Sequence, residues 1–438
     1  MALNAKAHTE KRLFISLLTR DISLSDAFLD LIDNSINSAI KSSNVNILKP
    51  DDFFAYIANS KSPKFRVDIV TSEIKVVIKD NCGGISTQAA QDEVFIFGAS
   101  PDDDRTDDKL SVYGIGLKRA IFKLGNNIEI SSDHLQGGFQ ITLDVPSWAK
   151  DKTQPWTFPI AGRPPSEKVG TTIEISNLHD AVKTRLADPT FLTSLEKRIS
   201  RAYSFFIGRI IVIYLNGKEI ETSNIEIAEN HAADSFDFDD VNVSLVAGIG
   251  VPKGKNYSAE GAGWNVFCNG RAIISFDKSE LTGWGVEGLL PTFQPKHRPF
   301  LGVAFFTADD PEKLPWTTTK LGVNPDNIVW QRALRRMADV AKQVTRFLDE
   351  RYSEEGTTIT RDEMSDAIGS ASYVAPTVSV RPVIFQAPKP TPRSTTSIQY
   401  TVNKAQLSLV KAAIGRRSMS NSEVGRYTFD YFVENEIA

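Results

Sequence analysis

The pattern of hydrophobic and polar residues between positions 23 and 41 has a helical period. Apolar residues recur at the spacing of one helix face, and an acid and two amides recur at i, i+4 and i+7 along another. This pattern predicts an amphipathic helix whose polar stripe is either a solvated face or part of a site. The apolar set is Phe28, Leu31, Ile32 and Ile36, and the polar set is Asp30, Asn34 and Asn37.

Short alternating segments after this helix predict the strands of a first sheet. Strands are expected at 65–70, 74–79, 127–131, 139–145 and 171–175, with a helix from Leu117. The second strand runs directly into the glycine turn DNCGGIS, and a polar, acidic segment at 99–113 reads as a mobile lid or a surface loop.

A second region has its own mixture of helical and strand patterns. A helix is expected at 191–206, a strand at 241–251 and a buried strand in FLGVAFFTA, while two Asn-Gly pairs predict hairpin turns at Asn216 and Asn269. Asn324-Pro325 is expected to cap and start a helix that ends near Tyr352.

Composition changes after this helix. Residues 353–397 become rich in proline, serine and threonine, which favours an extended linker, and helical patterns return at 405–414 and 422–432. The sequence therefore predicts an α+β chain with residues 1–180, including an N-terminal arm at 1–22, as a first domain. Residues 181–352 form a second domain, 353–397 a flexible linker and 398–438 a small helical module.

Bulk composition excludes several classes of protein. The 438 residues are 41% hydrophobic and 24% charged, with a formal net charge of -4, which argues against a protein that holds nucleic acid by bulk charge. The two cysteines, Cys82 and Cys268, have no metal-ligand spacing. With no signal peptide or apolar span in the sequence, a cytoplasmic protein that does not enter a membrane is expected.

Two glycine segments carry candidate chemistry. Asp80 precedes Gly83 and Gly84, where the backbone can approach a planar ligand and the carboxylate can accept from an exocyclic amine. Gly114 and Gly116 precede a helix whose free amides suit phosphates. Taken singly, each is more often an ordinary feature, a β-turn for the first segment and a simple helix cap for the second.

The order of these motifs is more specific than any one of them. The chain contains the following motifs in this order: acid-x-x-x-Asn on a helix, a strand that ends in DxxxG, an acidic lid, YGIGLKRA, and GTT at Gly170. This order resembles the GHKL superfamily of ATPases, which includes DNA gyrase, heat-shock chaperones, histidine kinases and MutL-type proteins. The resemblance covers about the first 180 residues and implies a Bergerat-type ATP-binding α/β sandwich that uses ATP and Mg²⁺.

The resemblance also implies roles for particular residues. Asn34 corresponds to the magnesium ligand, Asp80 to the acid that binds the adenine amino group, Gly84 to the residue beside the base, and Thr171 to a water-mediated support of that contact. Asp30 corresponds to the acid that activates water, although it is one methylene shorter than the usual glutamate, so slow hydrolysis is expected. The full implied cofactor-binding set is Asn34, Asp80, Gly84, Ile85, Tyr113, Gly114, Ile115, Gly116, Leu117, Lys118 and Thr171.

The segment LPWTTTKLGVN in the second region resembles the transducer loop of gyrase-like and MutL-like ATPases. The resemblance implies that Lys320 reaches the γ-phosphate, although a lysine after threonines is otherwise a solvated loop charge. FCNGRAI together with this loop is similar to MORC-type and related prokaryotic ATPases. The second domain is accordingly expected to be transducer-like.

The leading hypothesis is a Mg-ATP-dependent switch in which ATP closes the lid, slow hydrolysis resets it, and two subunits form a homodimeric clamp. Its macromolecular partner, DNA or a protein such as one of an antiviral defence system, is implied only by the resemblance. A histidine-kinase-like protein kinase and a nucleotide-gated binding module with no meaningful turnover remain as alternatives.

Overall fold

Two β-sheets organise the main part of the molecule. The computed structural model describes residues 10–43, 63–96, 110, 114–151, 156–254, 256–355, 371–376, 382–387 and 398–437. Residues 1–388 form one compact unit and residues 389–438 another. The first unit contains an eight-stranded and a six-stranded sheet, and this mixed α/β architecture is consistent with the predicted ATPase-type sandwich.

The regular elements are numbered here in chain order. The helices are α1 Lys11–Arg20, α2 Leu24–Ser43, α3 Thr87–Ala89, α4 Gly116–Leu124, α5 Val145–Lys150, α6 Asp180–Leu186, α7 Pro189–Ala202, α8 Ile328–Glu355, α9 Lys404–Ala413 and α10 Asn421–Phe432. The strands are β1 Phe65–Thr71, β2 Lys75–Asp80, β3 Gly125–Asp133, β4 Phe139–Asp144, β5 Ile160–Gly162, β6 Gly170–Leu178, β7 Ile211–Leu215, β8 Lys218–Glu219, β9 Ile227–Phe238, β10 Val241–Gly250, β11 Gly263–Cys268, β12 Arg271–Asp277, β13 Phe300–Thr307 and β14 Tyr373–Val374.

Helix α2 is the predicted amphipathic helix, and its start has a clear local cause. Ser23 Oγ accepts from Asp26 N at 3.2 Å, and Asp26 Oδ2 accepts from Ser23 N at 3.0 Å, which is a reciprocal capping pair. The apolar side chains of the helix are buried, among them Phe28, Leu31 and Ile36. The helix packs against α4, α7 and β1.

The first sheet has the order β5-β4-β3-β6-β2-β1-β7-β8. Its strands pair antiparallel except β1 and β7, which run parallel in the register Phe65 to Ile211. Strands β7 and β8 come from the predicted second region, and they lie in the first sheet because the alternating strand IVIYL buries one face beside β1. The sequence pattern identified strand β7 but did not indicate that it lies beside β1. The predicted domain boundaries stay a prediction.

The second sheet has the order β12-β11-β13-β10-β9-β14. The predicted hairpin turns are confirmed: Asn216 and Asn269 have φ of +50° and +45°, and the following glycines +80° and +82°. Such positive φ values at both central residues are those of the tight turns that suit twisted strands. Strand β9, with the sequence IAENHAADSFDF, was not predicted, because its acidic residues break the alternating pattern.

Close packing in the second sheet depends on one glycine. Gly302 of β13 pairs with Trp264 of β11, and a Cβ at Gly302 would lie 2.4 Å from the indole ring. We expect Gly302→Ala to lower the free energy of unfolding by about 1–3 kcal/mol, because the buried tryptophan must move. Urea denaturation followed by circular dichroism measures this change.

A matched control is available for this substitution. Gly162 is also a strand glycine, and a Cβ there would meet nothing within 4 Å. Gly162→Ala should therefore leave the urea midpoint nearly unchanged. Equal midpoints for the two variants would contradict the packing argument.

Helix α8 begins later than the sequence indicated. Asn324 accepts from Asp326 N at 3.1 Å in a turn, whereas Asn327 accepts from Trp330 N at 3.0 Å and so caps the helix. The prediction that Asn324-Pro325 starts the helix is therefore wrong by one short turn.

Two segments within the predicted linker contact the second sheet. Tyr373 and Val374 pair with β9, and Val383 forms a bridge to Ala233. Phe385 is buried, with its ring 5.3 Å from that of Phe347. The polar composition of this stretch did not indicate these contacts.

The C-terminal unit contains the two predicted helices, α9 and α10. Asn403 caps α9 through Ala405 N at 2.8 Å, and Ser420 and Glu423 form a capping box at the start of α10. Across the described part of the chain, no helix combines the length and the hydrophobicity that a bilayer crossing needs.

Candidate functional site

Asn34 is one of two polar residues on the buried stretch of α2 that keep partial exposure, the other being Ser38. Asn34 Nδ2 donates to the backbone oxygen of Asp30 at 3.0 Å, which fixes the orientation of the amide. No donor to Asn34 Oδ1 is found among the described residues. An amide oxygen held in this way can serve as a ligand for a hard cation.

Asp80 ends strand β2 and is held by three donors. Ser35 Oγ donates to Oδ2 at 2.7 Å, while Cys82 N and Thr171 N donate to Oδ1 at 3.0 and 3.3 Å. Burial raises the pKa of Asp80, and the three hydrogen bonds oppose that rise because they favour the ionised form. A carboxylate has about four acceptor positions, so one position on Oδ2 is left for a ligand donor.

Two glycines let the strand ends around Asp80 come together. Gly84 has φ +71°, and a Cβ there would lie 2.0 Å from Asp133 O. Gly170 has φ +153°, and its Cβ would lie 2.2 Å from Asp80 O. Any other residue at either position would push the ends of β2, β3 and β6 apart.

Hydroxyl groups complete this corner. Ser132 Oγ accepts from Ile85 N at 2.7 Å and lies 3.0 Å from Thr171 Oγ1. Thr171 thus contacts Asp80 directly through its backbone amide, in addition to the water-mediated role that the resemblance implied. The corner is half-buried around Gly84 and Ile85, which leaves it partly accessible to a ligand.

The start of α4 lies beside α2. Gly116 faces Asp30, because a Cβ at Gly116 would lie 3.6 Å from the Asp30 side chain. Ile115 at the N-cap supplies no side-chain hydrogen bond, and residues 114–117 are half-buried. The first amides of such a helix have no intrahelical acceptor and favour anions.

Lys118 does not extend toward this helix start. Its Nζ donates to Val94 O at 2.8 Å and to Ile96 O at 2.7 Å, and the side chain is buried. Asn37 is likewise buried and accepts from Leu110 N at 2.9 Å. Leu110 is the one described residue of the predicted lid at 99–113, so Tyr113 and the lid prediction lie outside the described residues.

Asp30 is buried and forms a bidentate ion pair with Arg119. Its two oxygens accept from Arg119 Nε at 2.5 Å and Nη2 at 2.8 Å. Burial raises the pKa of Asp30, and the Arg119 hydrogen bonds and charge oppose the rise. Burial alone would lower the pKa of Arg119, but Asp30 raises it instead. Asp30 is therefore bound to a cation in this conformation.

Asp33 forms ion pairs and hydrogen bonds with residues from the second region of the chain. Arg271 Nε lies 2.8 Å from Oδ1, Lys320 Nζ lies 2.8 Å from Oδ2, and Tyr203 Oη lies 2.7 Å from Oδ1. Burial acts to raise the pKa of Asp33, but the charges of Arg271 and Lys320 keep this pKa below the ordinary aspartate value. This cluster joins α2 to β12 and to the loop before α8.

The loop that carries Lys320 has a strained backbone. Lys320 has φ +56°, a left-handed conformation that is costly for a residue with a side chain. Its carbonyl accepts from Arg271 Nη1 at 2.7 Å, and its amide donates to Thr317 O at 2.8 Å. Thr318 O, in the same loop, lies 3.5 Å from Arg119 Nη1.

Asp80, Gly116 and Lys320 lie against α2, although Lys320 follows Asp33 by 287 positions in the sequence. The Lys118 side chain is directed elsewhere. Sequence reasoning missed the contacts of Asp33, Ser35, Tyr203 and Arg271. Asp33 lies three residues after Asp30 on the same helix, which was an available signal. The pairing of Asp33 with residues 238 and 287 positions away had no local signal.

Residues 22–162 match the family model described as histidine kinase-, DNA gyrase B- and HSP90-like ATPase. This match supports the GHKL superfamily for that region, and with it ATP binding and an ATPase or kinase type of activity. No curated protein matches the chain.

Proposed function

We propose that the chain binds Mg-ATP in the corner between α2, α4 and the ends of β2, β3 and β6, and that it hydrolyses ATP slowly. One observation carries the proposal. Ser35 of α2 holds the Asp80 carboxylate at 2.7 Å, and the preceding residue, Asn34, has an amide oxygen available to a cation. A single helix turn thus fixes the distance between the proposed base-binding and metal-binding groups.

The donor set fits an adenine nucleotide with Mg²⁺. Asp80 Oδ2 retains an acceptor position for an exocyclic amine. Asn34 would hold Mg²⁺, and the amides at the start of α4 would bind phosphate oxygens. Magnesium, when bound, neutralises part of the triphosphate charge.

Hydrolysis would assign Asp30 the role of accepting a proton from the attacking water. The Arg119 ion pair must loosen first, because both carboxylate oxygens of Asp30 accept from the guanidinium. Slow turnover follows from that requirement as well as from the short side chain. The same ion pair favours the second candidate, a nucleotide-gated binding module with no meaningful turnover.

Coupling to a larger assembly is part of the proposal. Helix α1 exposes Leu13 and Leu17 one turn apart, at 55% and 57%, and this apolar stripe supports a subunit contact through the N-terminal arm. Lys320 would join the γ-phosphate and transmit the nucleotide state to a transducer-like second domain. The product would be a MORC-like homodimeric clamp that closes on DNA or a protein partner, such as one of an antiviral defence system.

An assay with ATP labelled at the γ-phosphate tests this function. We expect the wild-type protein to release labelled free phosphate slowly, and Asn34→Ala to release at least about tenfold less at fixed Mg²⁺ because a metal contact is lost. Thin-layer chromatography measures free phosphate, and gel autoradiography measures label on protein.

Ser38→Ala is the control for that assay, since Ser38 is the other half-buried polar residue of this stretch of α2. It should release phosphate at the wild-type rate. Label that accumulates on protein would favour the kinase alternative. ATP binding without release would favour the binding module, and the absence of ATP binding would refute the proposal.

A further inference from the structure

We propose that Asp33 is a specificity-determining residue that competes with the γ-phosphate of ATP for Lys320. This inference rests on the proposed function and adds a second destination for Lys320. At rest, Asp33 retains the lysine, and a triphosphate displaces the carboxylate. A diphosphate lacks the competing group and leaves the ion pair closed.

The ion pair is built to hold Lys320 away from solvent. Lys320 Nζ lies 2.8 Å from Asp33 Oδ2, and the two residues are 9% and 2% exposed. A buried ammonium group leaves its carboxylate only for a partner of comparable charge. A phosphate group at the α2 and α4 corner is such a partner.

Asp33 can lose Lys320 without becoming an unpaired buried charge. Arg271 Nε remains 2.8 Å from Oδ1, and Tyr203 Oη remains 2.7 Å from the same oxygen. Removal of the sole partner from a buried charge would be strongly unfavourable. Because Asp33 has two cationic partners, release of one is a feasible reversible step.

The buried ion-pair cluster formed by Asp30 and Asp33 contains more cations than acids. Asp30 and Asp33 contribute two negative charges, while Arg119, Arg271 and Lys320 contribute three positive charges. These five buried groups carry an excess of one positive charge. A γ-phosphate that binds Lys320 would compensate it.

The backbone of the Lys320 loop is held by contacts that do not involve Asp33. Lys320 has φ +56°, and this conformation is held by the Arg271 contact to its carbonyl at 2.7 Å and by the hydrogen bond from its amide to Thr317. The next-but-one residue, Gly322, has open space around its Cα. The loop therefore has room for Lys320 to leave Asp33.

Affinity measurements on paired substitutions test the competition. Asp33→Asn combined with Arg271→Met removes the resting partner of Lys320 without changing the net charge. We expect this double variant to bind a non-hydrolysable ATP analogue on the order of tenfold more tightly, with ADP affinity unchanged. Isothermal titration calorimetry in Mg²⁺ measures both dissociation constants.

Lys320→Met completes a thermodynamic cycle. Lys320→Met should abolish the preference for the ATP analogue over ADP. Addition of the double substitution to Lys320→Met should produce no gain in affinity for the ATP analogue. The matched control is Asp26→Asn with Arg198→Met, which removes another acid and arginine pair from the same helix. This control should leave both affinities at wild-type values.

Hydrogen exchange of the wild-type protein tests the same competition without substitutions. The Lys320 amide, which donates to Thr317 O, should exchange faster with the ATP analogue than with ADP or no nucleotide. Equal exchange in all three states would overturn the inference, as would a gain in affinity that persists without Lys320. If both nucleotides bind and Asp33 has no effect on their ratio, only the competition fails, whereas absence of binding refutes the ATP site itself.

Discussion

Asp33→Asn is expected to lower the free energy of unfolding by about 3–5 kcal/mol. The substitution removes the carboxylate that lies 2.8 Å from both Arg271 and Lys320, and it leaves two buried cations without a counter-charge. Urea denaturation followed by circular dichroism gives the free energy.

The cause of this loss can be separated from a simple packing defect. Arg271→Met in the Asp33→Asn background removes one unpaired cation and replaces it with an apolar side chain, so most of the stability should return. Asp26→Asn is the matched single control, because the side chain of its partner Arg198 is 37% exposed and water can solvate it. Equal losses for Asp33→Asn and Asp26→Asn would contradict the argument.

Asp80→Asn should weaken adenine-nucleotide binding roughly a hundredfold or more while the fold persists. The amide oxygen can still accept from Cys82 N and Thr171 N, so the corner stays closed. At the Oδ2 position, an NH₂ group would face the exocyclic amine of the base. A hydrogen bond to a charged acceptor, which contributes about 1.5–3 kcal/mol, is then lost, and two donor groups face each other instead.

Calorimetry with ATP and Mg²⁺, beside the thermal midpoint, measures both parts of this prediction. Asp68→Asn is a suitable control, because Asp68 lies on the neighbouring strand β1 and pairs with Arg66 at the surface. It should bind ATP as the wild type does. Wild-type affinity in Asp80→Asn would remove the basis for placing the base in this corner.

Local signals predicted the elements best. The helical period of α2 and the two Asn-Gly turns depend on residues close in sequence, and the structure contains the corresponding helix and hairpins. Strand β9 escaped prediction because acidic residues interrupt its pattern, although pairing with β10 on one side and β14 at its edge satisfies its backbone.

The candidate site was predictable only where a single segment defines it. Asp80 with Gly84, and Asn34 on α2, come from short motifs. The direction of Lys118 toward Val94 and Ile96, and the partners of Asp30 and Asp33, depend on which segments the fold brings together. A helical period identifies a polar face but does not say which cations will cover it.

Three consecutive residues of α2 point in three different directions. Asp33 contacts the second region, Asn34 is partly exposed and Ser35 contacts the end of β2. Successive residues of an α-helix point about 100° apart, so this division depends on helical phase alone. Insertion or deletion of one residue upstream in α2 would turn each of the three side chains by about 100°, away from its present neighbour. This turn of the helix is therefore expected to tolerate changes of length far less than the surface loops do, because it contributes both to the proposed nucleotide corner and to the junction with the second sheet.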